Sequence, residues 1–280
     1  TVREAWLARG IDNIMLKSAG MYPSFPHLSD NIDILIRPNQ AVAARDVLRR
    51  LGYSELRNIE EPKKYLFRKF HDGRSVLAIH VHEEVGWLAG FMDEEALWAR
   101  MRPSPDDPSV NIPSPEDAIL INLAHAGYEN KELRLIDVAR VRHSLQRLGA
   151  EVDWAYMDRV AASRGWLIGL HFLLLVYAWW EERTFGTTLV PESQRQRLED
   201  SVAASKAVSE RLQAIKASDD NVLPIDLSYW FCKRLYYRKI LSDPTQPRGQ
   251  RWHDVIFTLL QGIRVKGRLP RRPNTAIWPP

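Results

Sequence analysis

"NIDILIRP", residues 31–38, decides how the first third of the chain is read. Ile32, Ile34, Leu35 and Ile36 are aliphatic, the run is entered from polar residues, and Pro38 ends it, which predicts a strand. Side chains on a strand alternate faces with period two, so Asn31 and Asp33 share a face while Asp30 and Asp33 do not. An acidic strand of this kind can clamp a divalent metal, but here an amide stands two residues before the carboxylate.

Working outward, residues 3–16 read as a helix broken at Gly10 that runs into a short apolar segment. Downstream, Ala41, Ala44, Val47, Leu48 and Leu51 recur at helical spacing and Gly52 stops the helix. "KYLFRKF" and "SVLAIHVHEE" read as two strands joined at Asp72-Gly73, a strong hairpin signal. His80 and His82 then fall on one strand face.

The proline-rich "RPSPDDPSVNIPSP", residues 102–115, is the expected boundary. Ser114, Pro115 and Glu116 open a helix in N-cap, N1 and N2 style, with Asp117 at N3. Further helices are expected at about 131–148, 153–163, 165–183, 193–217, 226–241 and 250–263. The division expected is an α+β domain over 1–101, a linker over 102–115, a helical domain over 116–263 and a basic, proline-rich tail over 264–280.

The bulk properties agree with a globular chain. It has 280 residues, 45% hydrophobic and 26% charged, with a formal net charge of +4, enough to bury one large core or two smaller ones. Its mean hydropathy is −0.33 and its pI about 9.2. The single cysteine, Cys232, excludes an intrachain disulfide framework and a cysteine-rich metal site. A reducing, cytoplasmic compartment is the expectation. "WLIGLHFLLLVYAWW", residues 166–180, is shorter than the ~20 residues that cross a bilayer and predicts a helix buried on all sides. The first residues lack the layout of a signal peptide.

Together, Leu16-Lys17-Ser18, Tyr22, Asn31-Ile32-Asp33, Gly52-Tyr53 and His80-Val81-His82 resemble, in order and spacing, the bacterial uncharacterised nucleotidyltransferases of the polymerase-beta-type superfamily. The resemblance extends through His125, Arg134 and Asp137, and then Asp153-Trp154, to about residue 195. It implies an α+β fold: a nucleotidyltransferase-like mixed sheet with flanking helices, followed by a mainly helical C-terminal domain. It also implies transfer of a nucleoside monophosphate from a nucleoside triphosphate, with a divalent metal (Mg2+ or Mn2+), to a small-molecule or peptide acceptor. A membrane partner is not expected, and nucleic acid is not favoured.

By the same resemblance Asp33, Asn31 and His80 are the catalytic candidates, and Asp30 joins them as metal ligands. Lys17, Ser18, His82, His125 and Asp137 are the candidates for holding the nucleotide or acceptor. This chain departs from the family pattern at those positions: Asn31 replaces the first aspartate, His80 the third acid and Ser18 a glycine. A bulge could rotate Asp30 onto the Asp33 face, and Glu83 or Glu84 could reach back. An oxygen and nitrogen donor mix favours manganese or zinc over magnesium. The alternative function is an inactive member that binds a nucleotide, peptide or protein partner in the same cleft.

Two features have plainer readings beside the functional ones. His125 and Asp137 fall on consecutive helices and could either orient a proton-transfer group or fix the helix pair. "DLSYWFCKRLYYRKI", residues 226–240, interleaves aromatic and basic residues, as an anion-binding surface or an amphipathic helix with a solvated basic face would.

Overall fold

The computed structural model describes residues 1–17, 31–56, 63–86, 90–218 and 223–256. Ser18, Tyr22, Asp30, residues 257–263 of the last expected helix and the tail 264–280 lie outside the described residues. Helix α1 (Val2–Leu7) is capped by Thr1, whose hydroxyl accepts from the Glu4 N–H at 3.3 Å. It ends before Gly10, which takes φ +63°, and the chain then enters β1 (Asn13–Met15). β2 (Asn31–Ile36) is the expected strand and α2 (Ala41–Arg50) the expected helix. A short β3 (Ser54–Leu56), not anticipated, precedes β4 (Lys64–His71) and β5 (Arg74–His82), whose turn residues Asp72 and Gly73 both have positive φ.

These strands form one mixed sheet in the order β1-β2-β5-β4-β3, with β2 parallel to β5 and every other pair antiparallel. Its two faces serve different cores. Ile34, Ile36, Phe67, Ile79 and Val81 pack with Trp6 of α1 and with Ala44, Val47 and Leu48 of α2. The Trp6 indole N–H also donates to the Ala44 carbonyl at 3.1 Å. On the opposite face Ile14, Leu16 and Leu35 join the large core of the helical half.

α3 (Glu94–Arg100) leads into the proline-rich stretch, which is a small hairpin of β6 (Arg102–Pro103) and β7 (Asn111–Ile112). α4 (Pro115–Ala124) starts as its sequence requires: Ser114 Oγ accepts from the Asp117 N–H at 3.2 Å and donates to Asp117 Oδ2 at 2.7 Å. It passes directly into a π-helical turn, His125–Asn130. β8 (Glu132–Leu133), α5 (Leu135–Leu148), α6 (Trp154–Ser163), α7 (Leu167–Phe185), α8 (Glu192–Ala203), α9 (Lys206–Lys216), β9 (Ile225–Asp226) and α10 (Tyr229–Ser242) follow. The one long helix expected at 193–217 is thus two, α8 and α9.

α7 is buried nearly all round, as its composition predicts, and among the described residues no helix is long and apolar enough to cross a membrane. Its buried Glu181 accepts from the Tyr177 hydroxyl, the Thr188 hydroxyl and the Leu189 N–H, each at 2.7 Å, and pairs with Arg142. In α10 the expected solvated basic face is only partial. Lys239 is fully buried, 3.0 Å from Asp243, because that stretch lies against Gly165 and over the Phe91 ring.

Candidate functional site

The register of β2 on β5 sets Asp33 beside His80 and Leu35 beside His82, so all four share the face turned toward the helical half. Asp33 is buried there. Its Oδ1 lies 2.9 Å from His82 Nε2 and 3.4 Å from His80 Nδ1, and its Oδ2 lies 3.3 Å from Lys17 Nζ. Burial alone would raise the Asp33 pKa, but the Lys17 charge and the two histidines outweigh it and hold the carboxyl well below its usual range. Burial presses His82 below the usual imidazole range, against the pull of Asp33. Lys17 itself sits just past β1 at φ +55°, a left-handed conformation that costs a non-glycine residue about 1–3 kcal/mol and gathers at functional sites.

Asn31 is on the same face, and its amide nitrogen lies 2.8 Å from His80 Nδ1. Among the described histidine, cysteine, aspartate and glutamate side chains, the ligand atoms of Asp33, His80 and His82 converge, within 4.8 Å of one another. His82 thus joins the expected Asp33 and His80, because β5 brings both its histidines to one carboxylate. Asp30 and Ser18 are outside the described residues.

The helical half supplies a second layer. His125 Nε2 lies 2.8 Å from Glu129 Oε2 and its Nδ1 3.0 Å from the Asn130 amide. Lys64 Nζ, on the strand paired with β5 and opposite His82, lies 3.2 Å from Glu129 Oε1. Burial opposes the charged form of Glu129, but His125, Lys64 and Lys17 together hold its carboxyl far below the ordinary range. Burial and the Lys17 charge lower the His125 pKa. The π-helical turn is pinned by α7: a Cβ on Gly169 would stand 1.9 Å from the Tyr128 hydroxyl, and one on Gly127 2.7 Å from Leu173.

Asp137 is engaged within its own helix rather than as the expected partner of His125. Its Oδ2 accepts the Arg134 N–H at 3.0 Å at the start of α5, and its Oδ1 lies 3.8 Å from buried Arg140. Arg140 in turn feels the charge of Asp33. Beside Lys17 opens a recess lined by Arg102, Ser144 and Arg147 together with Ile112 and Pro115. Buried Ser144 Oγ there has no hydrogen-bond partner among the described residues. Lys64, Glu129, Arg140 and the recess were not foreseen. Only Glu129 had a signal in the sequence, its i,i+4 spacing from His125.

Chemically, one carboxylate and two imidazoles fit a single divalent ion, and they do not make the all-carboxylate clamp that holds two magnesium ions. The recess, with three cations and the Ser144 hydroxyl, suits phosphate oxygens. No curated protein matches the chain in sequence. Among solved structures, the antibiotic-resistance factor ANT(2'')-Ia is similar at 15% identity with a TM-score of 0.41, over 58% of this chain and 86% of that one. A tRNA nucleotidyltransferase crystallised with primer tRNA and an ATP analogue is similar at 13% identity with a TM-score of 0.26, over 95% and 99%. The sequence model described as "uncharacterised nucleotidyltransferase" matches residues 8–181, from before β1 through most of α7, and the chain belongs to that family.

Proposed function

We propose that this chain transfers a nucleoside monophosphate from a nucleoside triphosphate to a hydroxyl, phosphate or amine on a small molecule or peptide in the cytoplasm. The observation that supports this best is Asp33, buried and ionised beside His80 and His82, with Lys17 and the cationic recess next to it. In the proposed step an acceptor oxygen or nitrogen bonds to the α-phosphorus. The bond from that phosphorus to the bridging oxygen breaks, and pyrophosphate leaves with the electron pair. His125, kept neutral by burial and backed by Glu129 at Nε2, takes an acceptor proton at Nδ1 as its contact with the Asn130 amide gives way. Lys17, Arg102 and Arg147 hold the leaving phosphates. Asp33, His80 and His82 would hold a divalent ion, which when bound would supply charge neutralisation for the donor.

A second reading, a partner-binding member without transfer, is favoured by one specific feature. Each carboxylate of the cluster already has a protein cation: Lys17 for Asp33, Lys64 for Glu129 and Arg140 for Asp137. Thermal-shift titration of the four nucleoside triphosphates, with magnesium, with manganese and without metal, separates the two. Transfer predicts metal-dependent stabilisation by one triphosphate, about 2.7 kcal/mol at roughly a hundred times its Kd. That stabilisation is lost in Asp33→Ala, and an acceptor screen releases pyrophosphate. Stabilisation without metal and without pyrophosphate release supports the second reading. No response to any triphosphate overturns the first.

A further inference from the structure

The donor atoms that converge on the sheet differ in kind from those that hold magnesium. Mg2+ demands near-octahedral oxygen coordination and gives up water reluctantly. Imidazole nitrogen suits zinc and its neighbours in the first transition row. We propose that Asp33, His80 and His82 form a site for one borderline divalent ion of the zinc class, bound in preference to Mg2+, with a remaining position open to water or a phosphate oxygen. The proposal deepens the transfer reading, because the ion would sit where the donor phosphates approach, but its test needs no nucleotide.

Three observations carry it. First, the spacing fits. Zinc holds nitrogen and oxygen ligands at about 2.0–2.2 Å, which sets neighbouring ligands of a tetrahedron a little over ~3 Å apart. Asp33 Oδ1 is already 2.9 Å from His82 Nε2 and 3.4 Å from His80 Nδ1. Second, Lys17 engages Oδ2, so the carboxylate offers Oδ1 alone, and the ammonium cancels the charge on which a hard ion depends. An ion that gains from nitrogen lone pairs loses less by that cancellation. Third, the described carboxylates nearby are committed elsewhere, Glu129 to Lys64 and His125, and Asp137 to the α5 terminus and Arg140. The Asn31 amide nitrogen lies 2.8 Å from the same His80 Nδ1 that would ligate the ion, so that contact gives way when the ion binds.

The test uses the full chain, stripped of metal with a chelator and titrated with Co2+ as a coloured stand-in for zinc. The expected result is visible ligand-field bands of low-coordinate Co2+ that saturate at one equivalent. Zn2+ abolishes them, and Mg2+ in roughly a hundredfold excess does not. His82→Gln and His80→Gln each weaken Co2+ binding at least about tenfold. His80 is 22% exposed, so its variant folds even if His82→Gln does not. His71→Ala, on a side chain 79% exposed, changes nothing. In the double variant Asn31→Asp/His80→Glu the preference moves toward Mg2+.

Displacement of Co2+ by equimolar Mg2+, bands that survive His80→Gln, or a double variant with an unchanged metal preference would overturn the proposal. If Co2+ and Zn2+ bind and no triphosphate does, the metal site stands and the transfer reading falls. If a magnesium–triphosphate binds while Co2+ finds no site, the reverse holds.

Discussion

Asp33 and Lys17 form the ion pair on which the site rests, and removing one partner leaves a buried charge uncompensated. Lys17→Gln should destabilise the fold by about 3–5 kcal/mol at neutral pH. The folded Asp33 pKa lies below its unfolded value, so the pair contributes fully above about pH 4 and is lost as the pH falls through the folded value. In Lys17→Gln that pKa rises. The gap between variant and parent should therefore be widest near neutrality and close in acid, which urea denaturation across the pH range would show. An unchanged gap at all pH values would mean that Lys17 acts through packing alone. At this scale the sequence was informative about Asp33, His80 and His82, because period-two alternation placed them correctly. It was silent on Lys64 for a physical reason. Counted straight back from the Asp72-Gly73 turn, Lys64 falls opposite Val81 on the wrong face. A bulge at Lys69/Phe70 shifts the register by one and brings it opposite His82.

The π-helical turn is the element that carries the helical half's contribution to the site. His125 and Glu129 project from it, while Tyr128 points into an aromatic cluster of Phe91, Trp166 and Tyr236. Gly169 on α7 is there so that Tyr128 can enter. Gly169→Ala should cost about 1–3 kcal/mol by overpacking. In a Tyr128→Phe background the cost should shrink, since the nearest atom then recedes from 1.9 Å to the ring carbon at 3.0 Å. A double-mutant cycle in denaturant measures that coupling, and additive costs would show that the two residues do not meet. The sequence marks a helix here but not its π character, because one extra residue per turn leaves the apolar pattern of α4 nearly intact. The helix break between α8 and α9 was equally hidden: Ala203, Ala204 and Ser205 carry no glycine or proline to announce it.

Across the whole molecule, the sheet is a wall shared by two cores, and its central strands should be the last to open. Amides of β2 and β5, flanked on both sides, should exchange with solvent most slowly, and those of edge strand β3 among the first. Hydrogen-exchange mass spectrometry would show the order, and early exchange of β2 would contradict it. The single strands and helices were legible because periodicity and turn residues are local signals, while the mixed sheet was implied by the resemblance. The parallel pairing of β2 with β5, which builds the site, is a long-range fact that local spacing does not announce. The alternation along β2 has a further consequence. Ile34 and Ile36 answer to α1 and α2, while Asn31 and Asp33 answer to the other side, so ligand chemistry and packing are written on separate letters of one strand. Side chains on the Asn31 side can change while the packing side stays as it is, which makes this strand a place where a lineage can change its chemistry without rebuilding its architecture.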